Sequence, residues 1–366
     1  MITLEHLTAL KPDKRTFDSS PTIVNSRVSI GVEIEAEGDA ILVDNSKLRD
    51  SFWEITKDNS LNNGLEFRFA YPLRGADVVD SLIFIESLLR GKKNLFSYRC
   101  STHIHVDVRD FDVKQLVQLL LIYASVEKLI FNLVGEDREN SNYCIPYWKS
   151  CPQYYPLSAI LKGGSLRNIA DVLKNFRRDY NKYSALAFYH IYDKGSVEFR
   201  QFPGSCNTKE ILNWINIALC IREAARKLDI DIFNFPSHVS LLGSKAYLKT
   251  IFPENLITLL IKNNISWERD VLEGVRVVQD ILYTNSISPY AMSNAVEGED
   301  SLFARYKNKK VKVAPEKRKN SKKINNNAID VQWVAPIFNG MLNDNPAQFI
   351  IDGVEEIQEI EAEDNE

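Results

Sequence analysis

Across residues 28–37 hydrophobic and polar positions alternate without a break. Val28, Ile30, Val32, Ile34 and Ala36 share one side; Ser29, Gly31, Glu33, Glu35 and Glu37 share the other. A period of two predicts a strand with one buried face, because successive Cβ atoms point to opposite sides of a sheet. Carboxylates lined up on the second face repel one another, so solvent, basic neighbours or a cation must offset them. The same period returns over 53–58 and 64–70, two strands joined by an Asn/Gly-rich turn and therefore a hairpin, with Glu66 and Arg68 on the polar face of the second. Residues 98–108 set Thr102, Ile104, Val106 and Val108 against Ser101, His103, His105 and Asp107. Residues 185–192 and 196–202 read as strands across Asp193-Lys194-Gly195, with Glu198 and Arg200 on one face. A short apolar piece, 40–43, is expected to pair with the first strand as a hairpin.

Elsewhere the period lengthens to that of a helix. Residues 77–89, closed by Gly91, carry apolar positions at helical spacing, and 112–134 begin at Asp112, a good N-cap. Further helices are expected over 165–180, 208–228 (capped by Asn207 or Thr208), 247–261 and 271–282. Residues 135–164, rich in proline and tyrosine, read as a long loop covering something. The mixture of strands and helices predicts an α+β protein.

Composition narrows the class. The 366 residues are 45% hydrophobic and 26% charged, as in soluble globular chains, with a formal net charge of −4. Five cysteines without a CxxC pair suit reduced thiols. No leader-like segment opens the sequence, and the longest apolar run, near 116–123, is too short to span a bilayer. A cytoplasmic protein with no membrane partner is expected. Residues 305–323 hold ten basic residues and the single acid Glu316, whereas 352–366 hold eight acids and no base. Both stretches read as flexible tails, and only the basic one offers a nucleic-acid contact.

The chemistry lies in what the strands share. Glu33 and Glu35, Glu66, His103 and His105, and Glu198 with Arg200 each stand on the face opposite an apolar one. Were these strands to share a sheet, that face would be a cluster of carboxylates and imidazoles. Oxygen-rich sites suit Mg²⁺ or Mn²⁺, and a histidine nitrogen tilts the preference toward Mn²⁺. Such ions bridge phosphate oxygens while an arginine steadies developing charge.

The order Gly31-Val32-Glu33-Ile34-Glu35, Asp58-x-Ser60 with Gly64-x-Glu66 and Pro72, His103-x-His105, and Glu198-Phe199-Arg200 before Gly204-Ser205 resembles the amidoligase family. Its members are bacterial and phage proteins of the carboxylate-amine ligase superfamily, which includes glutamine synthetase and glutamate-cysteine ligase. The resemblance covers residues 27 to about 227, including 138–143 as the middle loop. It implies a curved, mostly antiparallel sheet with helices on one face and a glutamine-synthetase-like catalytic cleft on the other. It implies ATP-dependent joining of a carboxylate donor to an amine acceptor (amino acid, peptide or protein) through an acyl phosphate. Carried over by position, Glu33, Glu35, Glu66, a histidine of the pair His103/His105 and Glu198 are metal ligands for Mg²⁺ or Mn²⁺. Arg200 stabilises the transferring phosphoryl group, Arg138 contacts the nucleotide, and Asp58 is a candidate base for the incoming ammonium. Arg177 and Arg178 are further basic positions, read as solvated. Glu37, outside the Glu-x-Glu pair, is assigned to solvent.

The chain departs from the family where Ser101-Thr102 replace a usual glycine, where Ala70-Tyr71 precede Pro72, and where Ala187 replaces an asparagine. The last bears on substrate contacts. A metal-dependent phosphoesterase or nuclease would use the same residues, and a non-catalytic interaction protein retaining the fold is a third reading. The expected organisation is a lead-in over 1–26, a catalytic domain over 27–228, a helical extension over 229–300 and charged tails over 301–366, in a chain that can oligomerise.

Overall fold

The structure, a computed structural model, describes residues 3–4, 28–49, 51–58, 60–149, 173–174, 176, 182–229 and 231–286. The strands are β1 (Ile30–Ala36), β2 (Trp53–Asp58), β3 (Gly64–Phe69), β4 (Ser101–Asp107), β5 (Leu186–Ala187) and β6 (Ser196–Pro203). The helices are α1 (Ala76–Leu89), α2 (Val113–Val134), the single turn α3 (Glu136–Glu139), α4 (Thr208–Lys227), α5 (Phe235–Leu242), α6 (Ser244–Ile251), α7 (Glu254–Ile261) and α8 (Trp267–Ser286).

The six strands form one sheet in the order β2-β3-β1-β4-β6-β5, antiparallel throughout. The protein is therefore α+β, as the mixed periodicities predict. One face of the sheet carries Ile30, Val32, Ile34, Phe67, Ile104, Val106, Val197 and Phe199, all buried. Helices α2 and α4 cover that face: Tyr123 meets Phe199 edge-on at 5.7 Å, and Trp214 stacks on Phe202 at 5.0 Å. Burying these side chains contributes roughly 1.5–3 kcal/mol each. The cost is that the polar residues between them are all left on the other face.

Helix α2 is the axis of the helical layer. Asp112 caps it as expected, in a capping box: Asp112 Oδ1 accepts the Gln115 N–H at 2.7 Å and Gln115 Oε1 accepts the Asp112 N–H at 2.9 Å. By length and composition α2 could cross a membrane, but 78% of its apolar stretch is buried inside the protein. Helix α8 lies so close to it that a Cβ added at Gly274 would stand 2.3 Å from the Ser125 carbonyl oxygen.

A carboxyl inside this layer sets a pH dependence. Glu127 of α2 is fully buried, and its Oε2 accepts the Tyr147 N–H at 2.8 Å. Burial raises its pKa well above the ordinary carboxylate value. A folded-state pKa raised this way gives stability that is complete below the unfolded value and is lost as pH climbs toward the folded one. Glu127→Gln keeps the acceptor and removes the ionisation. It is therefore expected to raise the melting temperature at pH 8 by at least ~2 °C, the gain shrinking toward pH 4–5, about the ordinary carboxylate range. A variant less stable than the parent at pH 8 would contradict a neutral carboxyl here.

Several expectations need correction. Residues 40–43 do not pair with β1, because β3 and β4 occupy both of its edges. The chain instead turns at Gly38, at φ +55°, into the 3-10 helix Gly38–Leu42 with Ile41 and Leu42 exposed. The strand expected over 185–192 is only Leu186–Ala187, since the chain folds into successive turns closed by Ile191 N to Phe188 O, Lys194 N to His190 O and Gly195 N to Ile191 O. The single helix expected over 247–261 is two helices, α6 and α7, divided at Pro253, whose ring cannot continue the first. Glu37 is not solvated: it is buried, and its Oε1 accepts the Asn62 N–H at 2.7 Å, holding the β2–β3 turn. Most of the helix expected over 165–180, the arginines at 177 and 178, Cys151 and both charged tails lie outside the described residues. The other four cysteines are free thiols.

Candidate metal centre

The uncovered face of the sheet is polar along its length because every strand alternates in phase. Register then decides which polar residues meet. In the β1–β4 pair Glu33 lies opposite His103 and Gly31 opposite His105. In the β4–β6 pair His105 lies opposite Glu198. On the other side β3 sets Arg68 opposite Glu33 and Glu66 opposite Glu35. Residues more than 160 positions apart in sequence thus share one spot.

Glu33, His105 and Glu198 each bring a ligand-type atom within 4.8 Å of the others. His105 Nε2 stands 3.2 Å from Glu33 Oε1 and 3.9 Å from Glu198 Oε1. Glu198 is 1% exposed and His105 7%. Neither His105 Nδ1 nor Glu198 Oε2 has a hydrogen-bond partner among the described residues. Buried polar atoms left open in this way cost about 1–3 kcal/mol each unless something occupies them. Two carboxylates and an imidazole, already converged, suit a divalent cation.

His103 is differently placed. Its Nδ1 lies 3.3 Å from Glu198 Oε1 and 3.4 Å from Glu33 Oε2, while its Nε2 is 2.7 Å from the Ser101 hydroxyl. That hydroxyl is bonded to Glu35 Oε2, which also accepts the Ser101 N–H at 2.8 Å. Both nitrogens of His103 are thus engaged, and Ser101, where a glycine was expected, ties it to Glu35. Glu66 is half-buried and takes the Thr56 hydroxyl at 3.2 Å; burial and the Glu33 charge raise its pKa.

The charges are held by their neighbours. Burial pushes the Glu198 carboxyl up, but Arg200, His105 and His103 together bring it down to about 2. Burial acts on Glu33 in the same sense, and His105 and His103 again outweigh it, leaving the pKa well below the ordinary value. His105 is lowered by burial and raised further by Glu33 and Glu198, so its net shift is upward.

Arg200 reaches the cluster through a bulge. Ile104 pairs with Phe199 but Thr102 with Phe202, so Arg200 and Gln201 together oppose His103. Arg200 then pairs with Glu198 through NH1 and donates from Nε to the Tyr143 carbonyl at 3.2 Å. The bulge leaves two carbonyls without ladder partners, and the buried Arg138 satisfies both. It bonds the Arg200 oxygen at 2.7 Å from NH2 and the Gln201 oxygen at 3.2 Å from Nε. Arg138, expected at a nucleotide, is buried and braces the bulge that carries Arg200. Asp58 is also apart from the cluster. It ends the edge strand β2, and its Oδ1 accepts the Ser60 N–H at 2.7 Å, which serves the turn.

His190 was missed altogether. Its segment reads as a strand, yet the turns described above swing its ring to the cluster, with centroids 5.4 Å from His105 and Nε2 3.8 Å from Glu198 Oε2. No local pattern marks such a placement. Burial, opposed by Glu198 and aided by His105, lowers its pKa to about 4, so the ring is neutral near pH 7. Beside the cluster a cleft of about 690 Å³ runs from Glu33 and His105 past Gly31 to Arg68, Arg109 and Lys194. A Cβ at Gly31 would meet the His105 Cβ at 3.1 Å, so a larger residue there would press on that imidazole.

The fold and the cluster define an α+β protein that gathers carboxylates, imidazoles and an arginine on the open face of an antiparallel sheet. Residues 71–222, from the end of β3 through most of α4, match the family described as "Putative amidoligase enzyme". The resemblance read from the sequence is thereby borne out. The match holds His103, His105, His190, Glu198 and Arg200, and β1 adds Glu33 and Glu35 through the sheet. No curated protein matches the chain.

Proposed function

We propose that this chain is an ATP-dependent carboxylate-amine ligase. The observation that supports the reading best is the largely buried Glu33–His105–Glu198 set, backed by Arg200 and opening on a cleft lined by further charged residues, in a chain whose residues 71–222 match the amidoligase family. A cleft of that volume is within the usual range for small-molecule sites.

In this reading a substrate carboxylate oxygen attacks the γ-phosphorus of ATP. The bond from that phosphorus to the β,γ-bridging oxygen breaks, and ADP leaves. The resulting acyl phosphate is attacked at its carbonyl carbon by an amine nitrogen, and inorganic phosphate departs as the amide forms. Glu33, His105 and Glu198 would hold Mg²⁺ or Mn²⁺, with His103, Glu35 and Glu66 beside them; the ion, when bound, neutralises phosphate charge. Arg200 stabilises the charge that develops on the transferred phosphoryl group. Arg68, Arg109 and Lys194 line the approach together with Glu54, Asp107 and Asp193, and Arg68 and Arg109 are paired with Glu54 and Asp107. The ammonium must lose a proton before it attacks. Asp58, at the end of β2, is the candidate base for that proton.

The test is ADP release by the purified chain with ATP, Mg²⁺ or Mn²⁺, and pools of carboxylates and amines. Products are read by mass spectrometry for an adduct lacking one water. ADP release that depends on metal and on an amine supports the proposal. Phosphodiester cleavage without ATP would replace it with the nuclease reading, and absence of both would leave a non-catalytic protein.

A further inference from the structure

We propose that His190 is a ligand of this metal centre, and that the centre therefore prefers a nitrogen-seeking transition ion, Mn²⁺, Co²⁺ or Zn²⁺, over Mg²⁺. The proposal rests on the metal-centre reading above and deepens it.

The argument is geometric. His190 Nε2 lies 3.8 Å from Glu198 Oε2. That separation is too long for a hydrogen bond, and the oxygen has no other partner among the described residues. An ion that holds its ligands at about 2.0–2.2 Å keeps neighbouring donor atoms roughly 3–4 Å apart. The separations within the cluster all fall there: 3.2 Å from His105 to Glu33, 3.9 Å from His105 to Glu198, and 3.8 Å from His190 to Glu198. Of these, the 3.9 Å and 3.8 Å separations are too long for hydrogen bonds.

The ring is also held in position. The Lys194 N–H bonds the His190 carbonyl at 2.8 Å, and the Tyr189 ring meets the imidazole edge-on at 5.0 Å. His190 stands on the solvent side of the cluster, its side chain 21% exposed against 1% for Glu198. Added to the converged Glu33, His105 and Glu198, it would give a set of two carboxylates and two imidazoles. His103, with both nitrogens engaged, is not needed for it. Imidazole nitrogen suits Zn²⁺ and Co²⁺ and is accepted by Mn²⁺ more readily than by Mg²⁺, which takes oxygen and keeps its water.

Titration calorimetry of the full chain with MnCl₂, ZnCl₂ and MgCl₂ tests this. The wild type is expected to bind Mn²⁺ and Zn²⁺ more tightly than Mg²⁺. His190→Asn should weaken Mn²⁺ and Zn²⁺ by about 10- to 100-fold and Mg²⁺ by much less. Mn²⁺ electron-nuclear resonance on protein carrying ¹⁵N-histidine should show one nitrogen coupling fewer in the variant. Unchanged affinity with an unchanged nitrogen count overturns the proposal. Glu198→Gln separates the two levels. If it abolishes binding while His190→Asn does not, the metal centre stands and His190 is no ligand. If neither alters binding, the metal centre itself fails. Should His190→Asn not fold, the wild-type nitrogen count decides, and a single coupling overturns the proposal.

Discussion

Glu198→Gln is expected to reduce metal-dependent ADP release to background, with metal affinity lowered by at least ~100-fold, the upper end of what losing a merely supporting residue costs. Glutamine keeps the size and one acceptor oxygen, so the change isolates the charge. That charge is the centre of the cluster: Arg200, His103, His105 and His190 all stand within 4 Å of the Glu198 carboxylate. Removing it also leaves the buried Arg200 cation without its partner, and breaking a buried pair from one side costs about 3–5 kcal/mol. The stability loss carries its own pH signature. A carboxyl held at about 2 contributes stability above its unfolded value and loses it as pH falls toward 2. The gap in melting temperature between parent and variant should therefore narrow as pH falls from about 5. Parental ADP release in the variant would show that the chemistry lies elsewhere.

Arg200→Lys is the second large effect. Lysine keeps the positive charge and with it most of the pairing to Glu198, so metal affinity should change only a few-fold. It cannot keep the second bond, from Nε to the Tyr143 carbonyl, nor present a planar fork to a phosphoryl group. Arginines that stabilise a transferring phosphoryl contribute about 10³–10⁵ in rate. A loss of ~10³-fold in kcat with intact metal binding would place Arg200 on the transferring group. A parallel loss of metal affinity would reduce it to a support for Glu198.

Much of this site was legible because strand alternation is local. Glu33 with Glu35, His103 with His105, and Glu198 with Arg200 each lie two apart, so each pair falls on one face whatever the rest of the chain does. Burial of the neighbouring Ile34, Ile104 and Phe199 then leaves only the open face for them. Asp112 was readable as a cap for the same reason, since the bonds that make it a cap lie within four residues. Two misreadings and one unforeseen role share the opposite cause. Glu37 was judged by its own strand, but a turn from β2 and β3 covers it. Arg138 was judged by its motif, but a bulge in a strand some 60 residues later claims its guanidinium. Residues 40–43 have a strand pattern but no free edge to pair with.

Sequence alone therefore determined most of the elements and the side of each that would be polar, because periods of 2 and 3.6 are set by backbone geometry and need no partner. Only the tertiary structure decided that β4 would lie between β1 and β6, in a register bringing Glu33, His105 and Glu198 within 4.8 Å. It alone set His105 with Glu33 and Glu198 while tying His103 to Ser101, and it alone brought in His190 from a turn. Those outcomes depend on strand order, a one-residue bulge and loop path. Such features are settled by long-range packing, and no short stretch of chain encodes them.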